Sequence, residues 1–195
     1  VGASASARQL PIYCVQRDQK LVSISFDAAW GGDKTLGILD LLDEYNIKTT
    51  FFLVDIWTQK YPELVKEIVA RGHEIGNHST SHPQMSKLNE TQIAKELNTQ
   101  ADNVLAIAGV RPVLFRPPYG DYNNRVVEVS RAEGYECVQW SIDSLDWKDI
   151  SASEISERVL KRVQPGSIVL FHNAAKHTPE ALPGIIESLL ADGYT

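Results

Sequence analysis

Positive charge is scarce in this chain. Its 195 residues carry 19 Lys and Arg against 25 Asp and Glu, a formal charge of −6. Phosphate contacts need clustered cations, so nucleic acid is not an expected partner. Long apolar runs are missing too, and no membrane-spanning segment is expected. The opening stretch "VGASASARQLPIY" has small residues but no charged-then-apolar leader, so no secretory signal is read there. With only Cys14 and Cys137, the sequence supports neither a disulfide framework nor a zinc knuckle. Both are expected as small buried residues in strand-like stretches, with a bridge between them left open. Repeats, linkers and low-complexity segments are absent, which leaves no sign of a second domain.

What remains is an ordinary globular composition, 43% hydrophobic and 23% charged, sized for one core. Strand-like apolar runs recur at 21–26, 49–54, 73–76, 113–115, 135–140 and 167–171. Helical patterns separate them. Segment 34–45 places Leu36, Leu39 and Leu42 on one face. Segment 61–72 has Pro62 early and Gly72 as a stop, and 90–108 is amphipathic. Segment 123–134 also ends in glycine, and Ser151 and Glu154 have capping-box spacing. Six strand–helix units in succession imply parallel strands with helical crossovers, either doubly wound or barrel-like.

Polar residues fall where the strands end. Asp27 closes the first run. His78 and His82 follow the third and Arg116 the fourth. Asp143 and Asp146 follow the fifth, and His172 closes the sixth. The carboxyl ends of parallel strands are where β/α folds place their active sites, and this distribution favours a barrel. Singly, each residue has a plain structural explanation. Two histidines four apart would face one way on a helical turn and could hold a metal, yet such a pair alone is weak evidence. The proline pair could be only a rigid turn, and His172 only a core histidine. Together they point to one site.

The stretches "SFDAAWG", "NHSTSHP", "RPPYG", "WSIDSLDW" and "LFH" occur in the order of the five motifs of the polysaccharide deacetylases, carbohydrate esterase family 4. The resemblance is to their NodB-homology domain, expected here over residues 21–195, with 1–20 as an N-terminal leader segment. "FDAAWG" resembles the branch found in sporulating Gram-positive bacteria. The resemblance implies a distorted (β/α) barrel of about seven units, with a further strand beyond the last residues. It implies a hydrolase using a divalent metal, zinc or else cobalt or nickel, that removes N- or O-acetyl groups from sugars of a polysaccharide such as peptidoglycan or a chitin-like polymer. An extracellular, cell-wall or spore-associated location goes with that substrate. By the same resemblance Asp27 is the general base, His78 and His82 are metal ligands, and Arg116 holds the base. The backbone N–H of Tyr119 helps stabilise the oxyanion, and Asp146 orients His172, the general acid. Trp147 and Leu170 line the pocket for the acetyl methyl group, and Pro118 of the same turn as Tyr119 is assigned to substrate binding.

The first motif departs from the family pattern. Its second aspartate, a metal ligand, is Ala28 here. A methyl group cannot ligate, and two protein ligands are fewer than zinc sites normally have. Waters could complete a weak site, or Asp27 could turn from base to ligand. Alternatively the domain recognises glycan without hydrolysing it. The first is expected, because the base, its arginine and the Asp–His pair all remain. A catalytically weak or inactive glycan-binding domain is the alternative, and a metal-dependent peptide amidase would use similar chemistry.

Overall fold

A computed structural model describes residues 7–195; the first six residues of the expected leader segment lie outside the described ones. Seven parallel strands form one sheet: β1 (Ser23–Ala28), β2 (Thr50–Leu53), β3 (Glu74–Asn77), β4 (Leu114–Phe115), β5 (Glu136–Cys137), β6 (Ile142–Asp143) and β7 (Ile168–His172). Their order is β5-β4-β3-β2-β1-β7-β6, so β1 is central and the sheet curls into a half-barrel. The expected barrel-type fold of about seven units is what the chain adopts.

Among the described residues seven α-helices surround the sheet: α1 (Thr35–Glu44), α2 (Asp55–Lys60), α3 (Pro62–Ala70), α4 (Glu90–Ala108), α5 (Asn124–Ala132), α6 (Ala152–Arg162) and α7 (Thr178–Ala191). Local signals explain their ends. Ser151 and Glu154 form the anticipated capping box, and Gly109, Gly134 and Gly72 take positive φ just beyond their helices. On α1 the buried stripe is Thr35, Ile38, Leu39 and Leu42, while Leu36 is exposed. Leu36 follows Thr35 by one residue, a turn of about 100°, which carries it off the face that Thr35 and Ile38 share.

Alternation along β1 sorts the interior. Ile24, Phe26 and Ala28 belong to the main apolar core beneath the helices, together with Phe51, Leu53, Val169 and Phe171. Ser25 and Asp27 point the other way, toward the inside of the curl. That inner side holds a small apolar cluster of Phe52, Val138 and Ile168. Gly76 makes it possible: a Cβ there would lie 2.4 Å from the Phe52 ring, so only glycine lets the ring cross β3.

Besides Leu36, which leaves the apolar face expected for it with Leu39 and Leu42, two expectations fail. The run 135–140 is not one strand: β5 ends at Cys137, and β6 begins only at Ile142. Arg116 explains the interruption, since its guanidinium takes the carbonyls of Val138 and Gln139, which a continued ladder would have used. Cys14 is exposed rather than buried, and both cysteines are free. The segment ahead of β1 runs along the sheet edge, where Ile12 bridges Val138 and Val15 donates to the Gly166 carbonyl at 2.9 Å.

Candidate active site

The strand ends open into a cleft of about 890 Å³. β1 and β7 pair in a register that sets Asp27 directly beside His172, and both line the cleft. Asp27 is nearly buried, and Arg116, wholly buried, donates to its Oδ1 at 2.9 Å. The same nitrogen reaches Ser25 Oγ at 2.9 Å, and Ser25 in turn donates to the Val169 carbonyl at 2.7 Å. The guanidinium lies over the Phe52 ring, 4.2 Å from its centroid. Every side of this cation is therefore held. Burial alone would raise the Asp27 pKa, but His78 and His172 in the acid range where they carry protons, together with the permanent charge and hydrogen bond of Arg116, outweigh it and the carboxyl ends below its ordinary value.

β3 delivers the histidines on a loop, not on the helical turn considered from their spacing. Ser79 and His82 both take positive φ there. Glu96 of α4 clamps the loop by accepting from the backbone of Thr80 and Ser81, both at 2.9 Å. The two imidazoles come together regardless, with centroids 5.0 Å apart. His78 Nδ1 faces the Arg116 carbonyl at 2.6 Å, so it carries the proton and Nε2 keeps the lone pair. That lone pair looks at Asp27 Oδ2 across 3.5 Å, acceptor against acceptor. The buried Nδ1 of His82 has no hydrogen-bond partner among the described residues. Burial lowers both pKa values, that of His82 to about 4, which leaves two neutral imidazoles.

Opposite them, the buried Asp146 is gripped by three donors. His172 Nδ1 lies 2.8 Å from its Oδ1, while the His172 backbone N–H and Thr178 Oγ1 reach Oδ2 at 2.7 and 2.6 Å. Burial tends to lower the His172 pKa, but the bond to Asp146 and the nearby carboxylates raise it above the ordinary value. Asp146→Asn is expected to lower the imidazole pKa, because burial then acts with one carboxylate and its hydrogen bond fewer opposing it. NMR titration of the His172 ring against pH measures this, and an unshifted ring would exclude Asp146 as its partner.

Of the other expected site residues, Tyr119, Trp147 and Leu170 line the cleft. Trp147 is held by its Nε1, 3.3 Å from both carboxylate oxygens of Asp143. Pro118 is buried within the turn Pro118–Gly120, and the neighbouring Pro117 lines the cleft. Gly120, at φ 66, sits against Trp140, where a Cβ would come within 2.9 Å. Ser25, Thr178 and Asn173 were not legible as site residues, because nothing in their local sequence marks the partners that the fold brings to them. Backbone strain does mark the site. Of six described non-glycine residues with positive φ, five (Ser79, His82, Tyr119, Leu145 and Asp149) lie in loops at this end of the sheet.

Neutral imidazoles are suitable donors for a zinc-like ion, and the facing acceptors of His78 and Asp27 would be relieved by a cation. The donor count falls short. Among the described residues no group of three or more His, Cys, Asp or Glu is disposed to hold a metal. Ala28, at the expected third position, is fully buried in the core.

The model of the family described as polysaccharide deacetylase matches residues 15–138. The chain belongs to that family. It is 36% identical over 176 residues to the peptidoglycan-N-acetylglucosamine deacetylase of Bacillus cereus, covering 88% of this chain and 64% of that protein. It is 33% identical over 184 residues to the uncharacterized protein YlxY of Bacillus subtilis, covering 94% of this chain and 57% of that one. The chain thus spans less than two thirds of the length of either relative. Among solved structures, BA3943, described as a carbohydrate esterase family 4 pseudoenzyme from Bacillus anthracis, superposes with a TM-score of 0.92 at 32% identity, over 95% of this chain and 66% of that one. A mutant of that pseudoenzyme is described as having restored enzymatic activity.

Proposed function

We propose that this domain removes acetyl groups from N-acetylated sugars of a cell-wall polysaccharide such as peptidoglycan. The observation that carries the reading is the juxtaposition of Asp27, clamped by Arg116, and His172, clamped by Asp146, on adjacent strands of one cleft. His78 and His82 would hold a divalent ion, zinc by donor type, with water making up its remaining ligands. Such an ion acidifies water and polarises the acetyl carbonyl.

The chain's own groups supply the rest. Asp27 takes a proton from the attacking water as its oxygen adds to the carbonyl carbon. The backbone N–H of Tyr119 donates to the oxygen that gains charge. His172 then gives its proton to the amide nitrogen, the C–N bond breaks, and acetate and a free amine leave. Asp27 must be ionised and His172 protonated. The directions of their shifts, one down and one up, widen the pH range in which both hold.

Acetate release from an N-acetylglucosamine oligomer tests this. Release is expected with added zinc or cobalt, rising as Asp27 ionises below the ordinary carboxylate range. It should fall only above about pH 6.5, the unperturbed value that His172 exceeds. Asp27→Asn should abolish it. Ala28 and the likeness to a pseudoenzyme favour a second reading, a glycan-binding domain without turnover. Binding of the oligomer with no acetate at saturating metal would select that reading.

A further inference from the structure

The aromatic rings on the surface are not scattered. Among the described residues, those more than half exposed are Trp30 at 71%, Tyr119 at 68% and Trp147 at 53%, and all three line the one cleft. Trp147 is tied through its Nε1 to Asp143. Trp30 is different: its indole has no hydrogen-bond partner among the described residues, and its ring centroid lies 6.0 Å from that of His82. The Tyr119 ring lies on His82 as well, at 4.6 Å. The imidazole therefore stands in contact with both rings.

The backbone under Trp30 is built to hold still. The next carbonyl, Gly31, accepts from Trp57 Nε1 at 3.1 Å and from Asn173 Nδ2 at 3.0 Å, both from buried side chains. Asn173 also donates through its backbone to the Asp27 carbonyl at 3.2 Å and through Nδ2 to Thr35 Oγ1 at 3.1 Å. Gly32 lies close over Tyr61 and Leu64. Exposed rings gathered around one cleft, with Trp30 on a pinned loop, form the kind of apolar patch that marks a binding surface, whereas a single exposed ring would not.

We propose that Trp30, with Tyr119, forms a stacking subsite for a pyranose ring adjoining the sugar whose acetyl group is cleaved. A pyranose presents a face of C–H groups with hydroxyls around its edge. The negative face of an aromatic ring attracts those C–H groups, and a free indole N–H can donate to an edge hydroxyl. A pinned platform adds little ordering cost on binding. The ligand class is a β-linked N-acetylhexosamine oligomer rather than a single sugar. This rests on the proposed glycan substrate but not on its hydrolysis.

Calorimetry on chelator-treated protein separates the two. The wild type is expected to bind a five-residue N-acetylglucosamine oligomer more tightly than the monosaccharide. Trp30→Ala should weaken oligomer binding by roughly tenfold, the scale of an aromatic anchor, and leave the monosaccharide's weak affinity unchanged. Trp30→Phe should restore most of the loss. Equal oligomer affinity in wild type and Trp30→Ala overturns the subsite while leaving the glycan reading intact. A wild type that binds no oligomer overturns both. Trp30 is mostly in water, so circular dichroism should show each variant folded.

Discussion

Arg116→Met is expected to lower the melting temperature by more than any single change outside the apolar core. The arginine is wholly buried and satisfies Asp27, Ser25 and two main-chain carbonyls. Methionine fills similar volume but leaves the Asp27 charge and both carbonyls without their donor. Breaking a buried ion pair from one side costs about 3–5 kcal/mol. In a chain of this size about 2–4 °C is lost per kcal/mol, so a fall of roughly 6–20 °C is expected at pH 7. The pH dependence has a definite sign. In the wild type Asp27 stays ionised below the usual carboxylate range, whereas without Arg116 it gains a proton more readily. The deficit should therefore narrow as the pH falls from 7 toward about 4, the unperturbed carboxyl value. Scanning calorimetry at both pH values decides it, and a small loss independent of pH would show that the guanidinium does not hold the Asp27 carboxylate.

The second large effect is expected at position 28. Ala28 is fully buried and lies on the side of β1 that carries Ile24 and Phe26. A carboxylate introduced there must either reach the cleft or remain uncompensated in the core. Ala28→Asp should therefore be markedly less stable than the wild type when metal is stripped, by several kcal/mol for a buried unpaired charge. Added zinc should restore stability in the variant, by about 2.7 kcal/mol at a hundred times its dissociation constant. The wild type, with two imidazoles, should gain far less at the same concentration. Thermal melts across a zinc titration give both numbers without measuring turnover. Destabilisation with no zinc rescue would mean that β1 directs position 28 into the core and that it cannot contribute a metal ligand from there.

Much of the protein follows from local sequence. Parallel strands separated by amphipathic helices, with Asp27, Arg116, Asp146 and His172 each just at or past a strand end, already placed these groups at one end of a β/α fold. That works because strand direction and crossover geometry are local consequences of apolar periodicity and turn residues, and in a parallel sheet all carboxyl ends lie together. The capping box at Ser151 and the glycine stops are likewise short-range, which is why they could be read directly.

What the tertiary structure decided is which partners meet. The β1–β7 register sets Asp27 beside His172 across 144 intervening residues, and no periodicity encodes that pairing. The break at 138–141 arises because Arg116 takes the carbonyls of a strand that its own neighbourhood does not reveal. The histidine pair forms on a clamped loop with positive φ, where a helical reading of four-residue spacing gave the right proximity by the wrong geometry. Thr178 binds Asp146 from a helix that begins 32 residues later, and Gly31 holds Trp30 through buried side chains of α2 and β7's far end. Hydrogen bonds act over about 3 Å and know nothing of sequence distance, so only the folded chain can choose among the donors available. Residue type and strand position determined that these polar groups gather at one end of the sheet; three-dimensional packing determined which of them pair and which rings stand exposed around the cleft.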